Sequence, residues 1–406
     1  MSSRVRILAV LSIVAIPLAL MVALSAAQGA PELSPVEELG KMIFFDENLS
    51  VNANQSCASC HAPEVGWVGP DSDTNLRGSV YEGSILGEFG NRKPPSAAYA
   101  TQAPIFHMPS EGFYVGGNFW DGRATGAKLG NPAADQAQGP FLNPKEQALA
   151  SASEVVTRVC AASYGDLFRS VWGDEACDPA NSDAAYDNIA LSIAAYEGSS
   201  EVNAFTSKFD AKKAGLVKFD REEQRGYALF KGKAKCAKCH IANGEQPLFT
   251  DYTYDNLGIP ANPANPVYDY DPDFVDLGLG GYLASLCSTE DLDCEEEAAE
   301  HNGQFKVPTL RNVDLEPGGI VKAYGHNGYF KSLEDIVHFY NTRDVLDVCG
   351  DEATPSEVGV TCWPAAEYPE GVNTAELGNL RLTPDQEAAL VAFMKTLSDG
   401  YLIQAP

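Results

Sequence analysis

The chain has 406 residues, 45% of them hydrophobic, enough to bury a large core and too many for general disorder. Its 56 acidic residues against 28 basic ones give a formal net charge of −28 at pH 7, which argues against nucleic acid and anionic membrane surfaces as partners and would draw a basic protein inward. Charge of this size says nothing about fold.

The chain opens with Arg4 and Arg6, an apolar run from Ile7 to about Leu24, and the small residues Ser25, Ala26 and Ala27. That is the pattern of a secretory signal peptide over residues 1–27; the alternative is an uncleaved membrane anchor, because the run is near the lower length limit for a span. Either way the body of the chain is exported and periplasmic, with a charge near −30 once the two arginines are gone. No later apolar run reaches spanning length, so no membrane span is expected after cleavage.

A first helix is predicted over SPVEELGKMIFFD, where Ser34 caps, Pro35 suits the first helical position and Glu37 completes a capping box. A short loop leads to SCASCH, residues 56–61. Helical periodicity follows at 146–160 and 184–200, and the lysine-rich KFDAKKAGLVKF marks a join near residue 212. The opening unit then recurs: DREEQRGYALFKG repeats the capping box with Asp220 and Glu223, places a glycine in the same register before its large apolar residues, and leads to KCAKCH, residues 235–240. The acidic, Pro- and Gly-rich segment 251–300 reads as a surface excursion. Two more helices are predicted, at 332–342 capped by Ser332 and at 383–398, where Thr383, Pro384 and Gln386 form another capping box. Strand-like alternation is scarce, so the fold class is mainly α with long loops, in two tandem units of 32–212 and 213–406.

C-x-x-C-H is the attachment signature of c-type haem: two thiols add to the porphyrin vinyl groups and the histidine reaches the iron. Cys57, Cys60 and His61 would hold one haem, and Cys236, Cys239 and His240 a second, which makes the units cytochrome c-like haem domains. The other six cysteines fall into sequence-close pairs, predicting disulfides 160 with 177, 287 with 294, and 349 with 362 in an oxidising compartment.

In order along the chain, SCASCHAPEVGW, NFWDGRATGAKLGNPAADQAQGPFLNPKE, KCAKCH and FKVPTLRNV…YGHNGYFKSLEDIVHFYN resemble the bacterial di-haem cytochrome c peroxidase and MauG superfamily over nearly the whole mature chain. The resemblance implies a peroxide site at the first haem and an electron-transfer haem in the second domain. It also gives roles to residues that otherwise read blandly: Glu146 as a solvated helix residue, Tyr340 as a buried tyrosine of an amphipathic helix, Trp120 as a core aromatic. The family pattern Q-x-x-x-P-x-x-x-x-x-E on the peroxide side falls on Gln136, Pro140 and Glu146. A carboxyl there can take a proton from one peroxide oxygen and deliver it to the other, and Gln136 can orient the bound oxygen species. Trp120 takes the bridging tryptophan position between the haems.

The loop histidine that blocks the first iron in many family peroxidases stands about sixteen residues after the first motif; here Arg77 does. The first haem is therefore expected to be open, with His107 or Met108 as the residues that could swing in. Fourteen residues after His326, where peroxidases place a methionine ligand to the second iron and MauG-type members a tyrosine, lies Tyr340. At 100° per residue Leu333, Ile336, Val337 and Tyr340 share one helix face, while His338 points nearly opposite. Methionine would raise that haem's potential; a phenolate favours ferric and higher states. The MauG-type exit tryptophan, two residues before the second motif, is replaced by Ala234, and Trp120 and Gln136 are spaced more widely than in the commoner motif. The family's calcium between the haems maps onto Asn91, with the carbonyls of Val321 and Ala323.

These features imply an exported di-haem peroxidase or oxidase that uses hydrogen peroxide to oxidise an external donor, as MauG-type members oxidise a protein substrate. The alternatives are a cytochrome c peroxidase fed by a small cytochrome c, and a non-catalytic di-haem electron carrier.

Overall fold

The computed structural model describes residues 32–109, 113–288, 291–316, 318–350 and 352–403. The signal-peptide expectation for residues 1–27 lies outside them. Leu33–Pro406 forms one compact unit. It is helix-rich; among the described residues the strands are four two-residue segments, Tyr254–Asp255 pairing antiparallel with Phe305–Lys306, and Asp347–Val348 pairing parallel with Cys362–Trp363.

Eight described helices have eight or more residues: α1 (Pro35–Phe44), α2 (Ala152–Ala161), α3 (Gly165–Trp172), α4 (Ser182–Gly198), α5 (Arg221–Lys231), α6 (Leu292–Ala299), α7 (Leu333–Thr342) and α8 (Pro384–Lys395). The capping boxes expected at Ser34, Asp220 and Thr383 all form, each satisfying amide groups that the first turn would leave orphaned. The helix expected from residue 146 begins later. Ala148 takes a left-handed φ of +60°, which no helix interior accepts, and Ser151 caps from the Glu154 amide instead.

Two apolar clusters organise the unit. One is drawn from residues between Leu39 and Val202, with Phe44, Phe141, Phe168 and Tyr196 all but inaccessible. The other is drawn from residues between Phe209 and Leu397. There the ring of Phe393 lies 5.0–6.4 Å from those of Tyr227, Phe230, Phe209 and Phe249, contacts worth about 0.5–1.5 kcal/mol per pair beyond area burial.

The repeated unit has a shared geometry. In α1, a Cβ added to Gly40 would stand 1.8 Å from the Ser192 carbonyl oxygen of α4; in α5, a Cβ on Gly226 would stand 1.8 Å from that of Ala389 in α8. Each helix leading to a C-x-x-C-H thus crosses a later helix with the backbones in direct contact, which only glycine permits.

All three expected disulfides are present, Cys160–Cys177, Cys287–Cys294 and Cys349–Cys362. The segment 251–300 departs from its expectation. Part of it is packed in, with Leu279, Leu283 and Ala298 buried against Phe106, Tyr114 and Tyr254, while most described residues of 284–300 are exposed as expected. Its Asp276 receives a bidentate pair from Arg92, Nε at 2.7 Å and Nη2 at 2.6 Å. Arg92 also holds Asp121, so three remote segments are stitched by one guanidinium, a geometry suited to its planar fork. The lysine-rich join folds as a short helix, Lys208–Lys213, whose Asp210 accepts both terminal nitrogens of the buried Arg311 at 2.8 and 3.0 Å.

Candidate functional site

A continuous cleft with about 2420 Å³ of space free of protein atoms, part of it open to solvent, runs through the molecule. His61 and Gln136 line it, as do Cys236, Cys239 and His240, with Trp120, Lys93, Lys306 and Tyr340 along its walls. Its size and mostly apolar walls suit planar macrocycles, with polar groups at a few points.

Both C-x-x-C-H segments fold as a single 3₁₀ turn, Cys57–Ser59 and Cys236–Lys238, in which the histidine amide bonds back to the first cysteine carbonyl, His61 to Cys57 at 3.0 Å and His240 to Cys236 at 2.9 Å. The turn sets the two thiols and the imidazole on one side of the chain. The four thiols remain unpaired while the other six cysteines are joined. The Nδ1 of His61 lies 3.2 Å from the Trp67 carbonyl oxygen and that of His240 2.8 Å from the Phe249 carbonyl oxygen. Donation from Nδ1 leaves Nε2 as the free lone pair, the arrangement of an axial ligand held in one tautomer. Burial keeps both rings neutral, lowering the His61 value to about 4 and that of His240 in the same direction. Paired thiols, a neutral imidazole with an anchored Nδ1 and an apolar slot fit a c-type haem at each motif.

At the first motif, Glu146 is half-buried. Burial raises its carboxyl above the usual range, while Asn143 Nδ2 donates to its Oε2 at 2.9 Å and Arg123 opposes the rise. Its charge in turn bears on both Cys57 and Cys60, which puts it beside the first haem-attachment site. Pro140 sits in the turn Gly139–Leu142 that leads to Asn143 and Glu146, its carbonyl accepting from Gln147 at 3.1 Å. The two residues that could swing in stand elsewhere: His107 and Met108 are exposed, with His107 bridged to Val115 and its Nδ1 2.8 Å from the Ile105 carbonyl oxygen. Arg77 ends the helix Ser72–Leu76 on the exposed surface.

At the second motif, α7 presents Leu333, Ile336, Val337 and Tyr340 to the cleft, the face expected from the 3.6-residue period. His338 points away, between Glu387 at 3.0 Å and the Gly359 carbonyl oxygen at 2.9 Å. Burial pushes the Tyr340 phenol up, with Cys236, Asp255 and Cys239 adding to the rise; the phenol therefore stands close to both thiols. Trp120 is nearly buried and donates its indole N–H to the Lys93 carbonyl oxygen at 2.8 Å, while its own carbonyl accepts from Lys306. Ala234 is buried in the second apolar cluster.

Several residues of the cleft escaped the sequence reading. Glu197 is 4% exposed, lines the cleft, and burial pushes its carboxyl up to about 8. Its signal was present: it follows Ile189 and Ile193 on the buried stripe of α4 at helical spacing. Lys93 and Lys322 are buried without any such local cue.

Asn91, Val321 and Ala323 form a poor calcium site. The Val321 carbonyl already accepts from Asn75 Nδ2 at 2.9 Å. The buried side chains of Lys93 and Lys322 flank this donor set in sequence, and it holds no carboxylate to offset their charge. These residues do not fit a divalent cation.

Comparison with known proteins places this architecture. Residues 34–217 match the model of the di-haem cytochrome c peroxidase family. The chain is 34% identical over 397 residues to the methylamine utilization protein MauG of Paracoccus denitrificans, covering 94% of each. The chain belongs to the di-haem cytochrome c peroxidase family. Another member of this family, the cytochrome c551 peroxidase of Nitrosomonas europaea, is 30% identical over 312 residues, 76% of this chain and 73% of that one. The crystal structure of the diheme peroxidase BthA from Burkholderia thailandensis superposes with a TM-score of 0.74 at 28% identity, over 91% of this chain and 87% of that one. As a di-haem peroxidase the protein is an oxidoreductase whose family implies two c-type haems, in keeping with its two C-x-x-C-H turns. No helix among the described residues is long and apolar enough to cross a membrane.

Proposed function

We propose that this protein is an exported, periplasmic peroxidase of MauG type that uses hydrogen peroxide to oxidise an external protein donor. Each apolar cluster and its C-x-x-C-H would form one cytochrome c-like haem domain, 32–212 for the peroxide site and 213–406 for the electron-transfer haem. A bound c-type haem would supply redox-active iron at each site; the polypeptide supplies position, protons and exclusion of water.

At the first site His61 would hold the iron from one side. Glu146, with its raised affinity for a proton, would move a proton between the two peroxide oxygens, and the Asn143 amide keeps its carboxyl oriented. Gln136 would orient the peroxide and Pro140 would shape the turn that carries Glu146. At the second site His240 and Tyr340 would hold the iron. Trp120, fixed by the Lys93 carbonyl, would lie between the two sites as a relay.

The observation that carries this reading is the placement of the Tyr340 phenol, rather than a methionine, against Cys236 and Cys239. An anionic oxygen donor there suits a haem that stores an oxidising equivalent better than one that accepts electrons at high potential. The cytochrome c peroxidase reading, with electrons from a small basic cytochrome, draws support from the net charge of −28. The electron-carrier reading fits poorly with Gln136 on the cleft wall and Glu146 beside the first motif.

Hydrogen peroxide added to the purified holoprotein, without prior reduction, tests the proposal. The resting protein is expected to give a high-spin ferric signal from one haem and to pass to a long-lived two-electron-oxidised state. A purely low-spin resting spectrum that peroxide leaves unchanged would favour the electron carrier, and a response only after one-electron reduction the cytochrome c peroxidase.

A further inference from the structure

We propose that the cation between the two haem sites is the ammonium of Lys93, backed by Lys322, in place of a calcium ion. The proposal rests on the di-haem reading. Lys93 lies two residues beyond Asn91, and Lys322 lies between Val321 and Ala323, so both lysines belong to the segments that would have carried the ion. They are 8% and 5% exposed.

The two ammonium groups differ in what surrounds them. Lys322 Nζ donates to the carbonyl oxygens of Asn312 at 2.8 Å, Val65 at 3.0 Å and Leu315 at 3.2 Å. Three acceptors for three N–H groups complement an ammonium and oppose burial, which lowers the Lys322 value to about 7. These contacts join the loop after the first C-x-x-C-H to the segment 312–322, a cross-link of the kind a bound ion provides. Lys93 Nζ has one acceptor among the described residues, the Pro94 carbonyl oxygen at 3.1 Å. The residue lines the cleft beside Trp120, Ala323 and His326, and its backbone amide donates to the His326 carbonyl at 2.9 Å.

A buried ammonium with N–H groups to spare is costly unless an anion meets it. Neither lysine has a carboxylate of the chain within ion-pair distance among the described residues. The carboxylates the cleft would receive are the propionates of the haems, and Lys93 is the cation placed on its wall to meet one.

The test uses holoprotein purified from calcium-containing buffer, with haem measured as the pyridine haemochrome on the same sample, so that failure to carry two haems is seen separately. Elemental analysis is expected to find far less than one calcium per chain, and excess EGTA to leave haem absorption and both midpoint potentials unchanged. Lys93→Met is expected to lower the potential of at least one haem, since loss of a nearby positive charge favours the ferric form, and Lys93→Arg to hold it near the native value. One calcium per chain whose removal changes the haem spectra overturns the proposal, as do unaltered potentials in Lys93→Met. Should Lys93→Met not fold, the calcium content and EGTA response of the native holoprotein decide.

Discussion

Gly226 in α5 lies against the carbonyl oxygen of Ala389 in α8 so closely that a methyl carbon in its place would stand 1.8 Å away. The obstruction is backbone, which cannot rotate aside. Gly226→Ala is therefore expected to destabilise by about 1–3 kcal/mol or more, read as a lower denaturant midpoint of the holoprotein. Gly40→Ala, facing Ser192 in the same way, should do likewise. Wild-type midpoints would show that the crossings have slack.

Glu146→Gln keeps the shape of the side chain and removes the titrating proton. Peroxide-driven oxidation should slow by about 10²-fold or more, with haem content unchanged. Stopped-flow spectra with hydrogen peroxide measure it, and an undiminished rate would leave Glu146 outside the proton transfers.

Tyr340→Met exchanges an anionic oxygen donor for a neutral thioether. One haem's midpoint potential should rise markedly; a superimposable redox titration would remove Tyr340 from the coordination of the second haem.

Glu197 gives a pH signature. Its folded value of about 8 lies above the ordinary carboxylate value of about 4.3, so the folded chain binds this proton more tightly than the unfolded one. Its contribution is full below about pH 4 and is lost as pH rises toward about 8, where folding must bury a charge. Glu197→Gln should leave thermal stability at pH 4 nearly unaltered and raise it, relative to the native protein, increasingly from pH 5 to pH 8. Parallel stability profiles for the two proteins from pH 5 to 9 would refute this.

What the sequence revealed was whatever a few neighbouring residues decide. The C-x-x-C-H turns, the capping boxes at Ser34, Asp220 and Thr383, the cleft-facing stripe of α7 and the three disulfides all join partners within one or two dozen residues. Features built from remote partners were illegible. Arg92 meets Asp276 across 184 positions and Lys322 meets Val65 across 257, and nothing local to any of these residues announces the other. The same blindness hid the packed part of 251–300, since its acidity and prolines are local while the burial of Leu279 and Asp276 depends on Phe106 and Arg92. Ala148 is a case between: no propensity marks an alanine for a left-handed φ, so the helix was begun too early.

The disulfides join partners 17, 7 and 13 residues apart, and this bears on biogenesis. During maturation six sulfurs must be sealed while Cys57, Cys60, Cys236 and Cys239 stay available for thioether ligation. Closure of a short loop is entropically cheaper than closure of a long one, so each structural thiol meets its own mate far more often than a haem thiol tens of residues away. Chain distance alone thus sorts most of the ten cysteines, and only the two C-x-x-C-H pairs would need shielding from oxidation until the porphyrins arrive.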